Sequence, residues 1–378
     1  MTDVVIAADS IRSPEMRHEV PLPVPDPFVY IERDRKRYVL VSSFEAPRIQ
    51  ERAPEIEILL PEEFGLDDLV EQGYREWRLE CELTLRGCKH VGLEQAAVPP
   101  TFPSMLLDYL RENGVAVTPD QELFTQRRRV KTAAEIDGIR RAQRACERAM
   151  DAARELMRRA ERHDGSLVVD GEPLTCERIR TAVEDVFTAS NVVAEESIVS
   201  HGAQTAIGHE IGHGEIKPDE PVVLDLFPRD RETGCYADMT RTFVVGEPSD
   251  ELREYHRLVK EALERSTAGV RAGVSGRTLF EQVCELFQAH GYKTQLSKDP
   301  GEVLADGFFH SLGHGVGLEV HEQPGLGRTG VDLVAGDVIT LEPGLYRRGY
   351  GGLRLEDLVL VTDDGPEVLT DYPYDLSP

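Results

Sequence analysis

The stretch GHEIGHGEI, Gly208 to Ile216, contains His209-Glu210-Ile211-Gly212-His213. This is the H-E-x-x-H spacing with which two imidazoles hold one zinc while the glutamate positions its water. The chemistry needs a helix, because only there do residues i and i+4 share a face. Gly202, Gly208, Gly212 and Gly214 interrupt the span and Pro218 closes it, and each interior glycine costs a helix about 1 kcal/mol relative to alanine. The downstream extension H-x-x-G-x-x-H also fails, since Ile216 and Asp219 occupy its glycine and histidine positions. The stretch reads as a glycine-rich loop, with a single-zinc site as the competing reading.

Carboxylates set inside apolar strands carry a stronger signal. Val222-Val223-Leu224-Asp225-Leu226-Phe227 holds one aspartate in an apolar run, where an unpaired buried charge is so costly that it demands a cation or a proton. Asp238 opens a second apolar strand, Met239 to Val245, and the turn-like residues Pro228 to Gly234 predict a hairpin that sets the two aspartates side by side. Glu342 repeats the theme within Val338 to Gly344. In Leu353 to Val361, period-two alternation puts Arg354 and Glu356 on one face. One such carboxylate is most often a strand-end residue or a salt-bridge partner; four in similar settings favour a shared cation. HSLGHGVGLEVHE, His310 to Glu322, adds the imidazoles of His310, His314 and His321. Oxygen-rich ligation with a single histidine suits Mn²⁺ or a similar hard divalent ion, or a dinuclear pair sharing carboxylates.

The elements that must position these groups are legible in outline. A chain of 378 residues, 40% of them hydrophobic, is long enough for two or three domain-sized units with real cores. Residues 1 to about 126 mix short apolar runs (Tyr38 to Val41, Ile56 to Leu60) with proline clusters and one helical stretch, Met105 to Leu110, which predicts a small α/β domain. Arg127-Arg128-Arg129-Val130-Lys131 then leads into Thr132-Ala133-Ala134-Glu135, a capping box. The helix behind it carries Ile139, Ala142, Cys146, Ala149, Ala153 and Met157 on one face. The boundary falls near residue 128, giving domains 1–128 and 129–378. Two further amphipathic helices are expected, one from Ser249 with Leu252, Tyr255, Val259 and Leu263, the other from about Ser275 with Leu279, Val283, Leu286 and His290, stopped by Gly291.

Charge excludes some partners. Asp+Glu number 69 against 43 Lys+Arg, a net charge of −26, and only 7 of the basic residues are lysine. Such a field repels nucleic acid and anionic membranes. Acidity spread along the chain with scarce lysine reads as halophilic adaptation, because screening lengths of about 3 Å in molar salt make self-repulsion tolerable. Cys81, Cys88, Cys146, Cys176, Cys235 and Cys284 lack metal-type spacing and read as ordinary buried thiols. With no leader-like opening and no apolar run of about 18 residues, the expectation is a soluble, cytoplasmic protein.

In their order, VVLDLF, YADMTRTF, HSLGHGVGLEVHE, TLEPGLY and GGLRLEDLVLV resemble the pita-bread metallopeptidases, the family of methionine aminopeptidase, aminopeptidase P and prolidase. The resemblance covers about residues 130 to 370. The preceding domain and the helix KTAAEIDGIRRAQ are similar to the proline-specific branch, since methionine aminopeptidases usually lack such a domain. The implied fold is α/β (α+β), with a C-terminal pita-bread domain of the creatinase/aminopeptidase type behind a smaller N-terminal α/β domain. Position by position, the resemblance implies that Asp225, Asp238, His314, Glu342 and Glu356 are metal ligands. Asp238 and Glu356 would bridge two ions, with Asp225 on one and His314 and Glu342 on the other. It places His209, His310, His321 and Arg354 along the substrate site. His209 lies 16 residues before Asp225, near where the family carries a loop histidine that approaches the substrate, and His213 is the weaker candidate. Two departures stand out: the 13-residue step from Asp225 to Asp238 is longer than usual, and Phe227 stands where glycine is common. The extra residues of PRDRETG are expected to lengthen the hairpin tip and leave the metal-facing strands intact.

The implied activity is that of a metal-dependent exopeptidase of the Xaa-Pro aminopeptidase type, with Xaa-Pro dipeptidase (prolidase) as the alternative. A pita-bread protein without peptidase activity and the single-zinc protease are the remaining readings. Two divalent ions, Mn²⁺ foremost with Co²⁺ and Zn²⁺ as alternatives, would lower the pKa of a water that attacks the scissile carbonyl. Glu342 would carry the proton, His321 and His209 would stabilise the intermediate or the substrate's amine end, and Arg354 would orient the acids beside it. The implied partners are small peptides with proline at the second position and a second copy of the chain in a homodimer. A bond before proline is a tertiary amide without N–H, which general peptidases handle poorly.

Overall fold

In the computed structural model, which describes residues 2–378, the capping box at Thr132 opens the helix Ala133–Arg158. The Thr132 hydroxyl accepts from the Glu135 N–H and the Glu135 carboxylate accepts from the Thr132 N–H. The face carrying Ile139, Ala142, Cys146, Ala149, Ala153 and Met157 is fully buried. Much of it packs on a helix that the sequence reading passes over, Cys176–Ala189, which contributes Ile179, Val183 and Phe187 to the same core. The helices Asp250–Gly269 and Gly276–Ala289 begin at Ser249 and Ser275, whose hydroxyls accept from the Leu252 and Arg277 N–H groups.

The chain divides into two compact units, one reaching to Arg128 and including Glu232–Gly234, the other formed by Arg129–Arg231 and Cys235–Pro378. The first is a mixed six-stranded sheet in the spatial order Glu57–Leu59, Lys36–Leu40, Phe28–Arg33, Val4–Ala8, Gln95–Val98, Ala116–Pro119. Apolar cores cover both of its faces, as alternating residues of a sheet sandwiched between helices require.

In the second unit, the strands Ile198–His201, Pro221–Leu226 and Met239–Val244 form an antiparallel sheet in that order. A second sheet joins Asp306–Gly307, Gly344–Arg347 and Gly351–Arg354, and a third joins Glu322–Leu326, Gly313–Gly315, Val338–Leu341, Asp357–Thr362 and Gly365–Val368. The chain crosses from the third sheet to the second at Glu342-Pro343 and back at Leu355-Glu356. The continuous strands expected over Val338–Gly344 and Leu353–Val361 are therefore each broken at the carboxylate, since a residue between two sheets must turn out of both ladders. All six cysteines are buried. Among the described residues no helix is long and apolar enough to cross a membrane.

Candidate metal centre and substrate cleft

The hairpin between Asp225 and Asp238 sets the first two acids. Pro221–Leu226 pairs with Met239–Val244 so that Asp225 lies opposite Thr240. Asp238, two residues before Thr240, therefore shares its face with Asp225, diagonally across the pair. The two acids brought by the sheet crossings complete the group. The Glu356 N–H donates to Thr240 O at 3.0 Å, and the Glu342 N–H donates to Leu312 O at 2.7 Å. His314 comes from the short strand Gly313–Gly315, where glycine is needed at 313 because a Cβ there would collide with the Thr340 carbonyl.

Asp225, Asp238, His314, Glu342 and Glu356 all line one cavity of about 600 Å³. Ligand-capable atoms of Asp238, His314 and Glu356 lie within 4.8 Å of one another. His314 Nε2 is 3.7 Å from Asp238 Oδ2 and 3.8 Å from Glu342 Oε1. The four acids lack enough donors: Asp225 Oδ1 and Asp238 Oδ1 are buried without a hydrogen-bond partner. His314 Nδ1 faces the Gly315 carbonyl at 3.1 Å, which assigns the proton to Nδ1 and turns the Nε2 lone pair toward the acids. A lone pair facing carboxylate oxygens needs a cation or a proton between them, and carboxylates plus one imidazole are the donor set of a divalent ion. The residues present fit the metal that the sequence implies.

The electrostatics carry the same signature. Burial, reinforced by Glu356, Asp225 and Glu342, pushes the Asp238 carboxyl well above its usual range, and burial with Glu342 and Asp225 does so for Glu356. Burial lifts Glu342 to about 8 against the opposing pull of Arg354. His314 falls to about 4 and His310 to about 3, both mainly through burial, aided by His321 and Arg354 respectively. The Arg354 side chain donates to Asp225 Oδ2 at 2.6 Å, to the Tyr346 hydroxyl at 3.1 Å and to Thr240 Oγ1 at 3.2 Å. Burial opposes its charge, but Tyr346, Asp225, Glu342 and Glu356 together more than offset that.

His314, His321 and His209 form a row from the acids outward, with ring centroids 4.3 Å and then 6.3 Å apart. His209 is exposed at the cleft and holds φ at 60°, in the left-handed region, a conformation that costs a non-glycine residue about 1–2 kcal/mol. The GHEIGHGEI span forms no helix: after the 3₁₀ turn Gly202–Ala206 the backbone is irregular. His213 points away, its side chain 74% exposed and outside the cavity lining. The zinc geometry of i and i+4 on one face is not built here. His310 also lines the cavity, yet both its ring nitrogens are engaged, Nδ1 with Ser311 O at 2.8 Å and Nε2 with the Tyr346 hydroxyl at 2.9 Å. That leaves its ring face to a ligand. Phe227 lines the cleft beside Asp225, and PRDRETG is folded back by the pairing of Arg229–Asp230 with Val192–Val193.

Sequence reasoning misses Tyr346, Thr240, Phe309 and Glu196. Tyr346 shares the alternation of Glu342 and Gly344, so period two was the available signal. Thr240 follows Asp238 in the same way, whereas nothing local marks Phe309 or Glu196, which lines the cleft from the segment before Ile198.

A family model described as Metallopeptidase family M24 matches residues 137–363. A Xaa-Pro dipeptidase of Pyrococcus furiosus is 35% identical over 179 residues, covering 47% of each chain, so the match spans about half the length of this curated relative. Among solved structures, a Xaa-Pro dipeptidase from Bacillus anthracis superposes with a TM-score of 0.77 at 23% identity, covering 100% of this chain and 94% of that one. The X-Pro aminopeptidase from Thermotoga maritima gives 0.76 at 22% identity, covering 99% and 97%.

Proposed function

The chain belongs to metallopeptidase family M24, the pita-bread metallopeptidases, and from that premise we propose that it is a metal-dependent exopeptidase of the Xaa-Pro aminopeptidase type, cutting the bond before proline. The observation that carries this reading is the convergence of four acids and one imidazole lone pair turned toward them on a single cavity, with two carboxylate oxygens lacking partners. Asp225, Asp238, His314, Glu342 and Glu356 would hold two divalent ions, Asp238 and Glu356 shared between them. When bound, such a pair supplies the charge that makes a water nucleophilic and polarises the scissile carbonyl.

The remaining steps belong to the chain's own groups. Glu342 accepts the proton of the attacking water and passes it to the leaving proline nitrogen, which departs as an amine once it has gained that proton. His321 and His209, toward the open side of the cleft, donate to the oxygen on which charge develops. Arg354 holds Asp225 in place through its 2.6 Å bond. Phe309, packed at a tilt against Tyr346 with ring centroids 4.9 Å apart, and Phe227 give the cleft apolar walls suited to a pyrrolidine ring.

Two readings of substrate length have specific support. Among the described residues lining the cleft, Arg354 is the sole guanidinium or ammonium, already bonded to Asp225, Tyr346 and Thr240, and Glu196 adds a negative charge. A free carboxylate next to the scissile bond thus finds no unengaged cationic side chain, which favours peptides of three or more residues. The dipeptidase reading is supported by the name of the Pyrococcus furiosus relative. Manganese as the ion, a homodimer, a cytoplasmic location and halophily complete the proposal, resting on the oxygen-rich donor set, the resemblance and the charge of −26. Hydrolysis of Ala-Pro-Ala against Ala-Pro, with alanine-for-proline controls, by the Mn²⁺-loaded protein tests it. Cleavage before proline with faster turnover of the tripeptide is expected; equal rates on proline and alanine series would overturn the proline reading.

A further inference from the structure

We infer that the segment Tyr372–Leu376, acting through Arg241, fixes the spacing of Asp238 and Glu356 and thereby the affinity of the centre for its ions. The inference rests on the dinuclear reading above and assigns positioning residues that touch neither substrate nor ion.

Arg241 is 1% exposed and lies in the strand that follows Asp238. Its Nη1 donates to Thr240 O at 3.0 Å and to Glu356 O at 2.8 Å, Nη2 to Asp357 Oδ1 at 2.9 Å and to Tyr372 O at 3.0 Å, and Nε to Pro373 O at 2.9 Å. All five donors of the guanidinium are therefore engaged, and they join three separate stretches of chain: its own strand, the crossing at Glu356-Asp357, and the segment at 372–373. The first two of these stretches carry the acids assigned as shared. Thr240 Oγ1 donates to Glu356 Oε2 at 2.7 Å, and the Glu356 N–H donates to Thr240 O. Glu356 sits where the chain leaves one sheet for another, so its peptide is held by these cross-links in place of a regular ladder.

The segment itself is anchored from its far side. The Tyr374 hydroxyl donates to Asp357 Oδ2, and its ring lies 4.6 Å from the Arg241 guanidinium carbon. The Val244 N–H donates to Leu376 O, and His256 Nε2 bonds Tyr374 O. A guanidinium bound to charged and carbonyl acceptors around its whole edge cannot shift without breaking several strong bonds. A ligand shared by two ions tolerates little displacement, so the positions of Asp238 and Glu356 are coupled to Tyr372–Leu376 through one side chain.

The test is titration of metal-stripped protein with Mn²⁺ by calorimetry, together with thermal melting of the same metal-free samples. The variants are Arg241→Lys, Tyr374→Phe and, as a stability control in the core of the helix Gly276–Ala289, Val283→Ala. Arg241→Lys keeps the charge but cannot span three stretches, and should weaken Mn²⁺ binding about 10–100-fold, as loss of groups that orient ligands does. Tyr374→Phe keeps the ring and loses only the bond to Asp357, so a few-fold weakening is expected. Val283→Ala should lower the melting temperature and leave Mn²⁺ affinity unchanged. Wild-type affinity in both Arg241→Lys and Tyr374→Phe, with melting lowered as in the control, would overturn the inference and leave Arg241 a stability element. A wild-type protein that takes up no Mn²⁺ would overturn the dinuclear reading itself.

Discussion

Asp238→Asn separates an ion ligand from a structural carboxylate, because the two roles give opposite signs. Asp238 is 4% exposed, its Oδ1 has no hydrogen-bond partner, and its Oδ2 lies 3.7 Å from His314 Nε2. Burial, with Glu356, Asp225 and Glu342 around it, destabilises its charge. Two unit charges about 4 Å apart at an effective dielectric of about 20 repel by about 4 kcal/mol, an upper bound here since burial already favours the neutral acids. Replacing one acid with a neutral amide of the same shape relieves part of that. The metal-free variant should therefore melt no lower than the metal-free wild type. With Mn²⁺ at about 1,000 times its Kd, binding to the folded form alone adds about 4 kcal/mol. In a unit this large each kcal/mol is worth about 2–4 °C, so the wild type should gain about 8–16 °C. Without a ligand shared by both ions, the variant should keep less than half of that gain. Scanning calorimetry of chelator-treated protein with and without Mn²⁺, with metal content measured in parallel, reads both signs. A metal-free variant melting several degrees below wild type but retaining the whole Mn²⁺ shift would refute the reasoning and make Asp238 a structural group.

Glu342→Gln should lower turnover by several orders of magnitude, whereas Glu210→Gln should be mild and His209→Ala should slow turnover with metal content unchanged; metal loss in the His209 variant with an inactive Glu210 variant would restore the single-zinc reading. With 26 excess negative charges, melting temperature should climb with KCl toward molar concentration, and a flat response would remove the halophile reading. In the first unit, burial raises the Glu32 carboxyl, but the Arg127 hydrogen bond and charge outweigh it and hold the group below its usual range. Its contribution is thus present above the ordinary glutamate pKa and lost as pH falls through the lowered folded value. Glu32→Gln should cost about 1–3 kcal/mol near pH 7 and progressively less in acid, read as the urea midpoint at each pH; an equal cost at pH 7 and pH 3 would refute it.

The inventory of chemistry and the main elements that carry it are legible from local residue patterns. A lone Asp225 in Val222–Phe227, Asp238 at the head of an apolar strand, and the caps at Thr132, Ser249 and Ser275 are local patterns, and local patterns suffice where a side chain's cost or a helix end's unsatisfied N–H groups are set by its neighbours in sequence. The glycines of GHEIGHGEI likewise spoke against a helix without help from the rest of the chain. The groups that hold the acids come instead from packing between distant segments. Arg354 meets Asp225 across 129 residues and Thr240 meets Glu356 across 116. The tautomer of His314 follows from its own Nδ1 facing Gly315 O, and both nitrogens of His310 are engaged only because Tyr346 folds beside it. The breaks at Glu342-Pro343 and Leu355-Glu356 were hidden because the apolar alternation runs unbroken through them, while the change of sheet depends on which strands stand on either side. A residue's type states what chemistry it can do; its hydrogen-bond partners, set by packing between distant segments, fix where its lone pairs and charge are aimed.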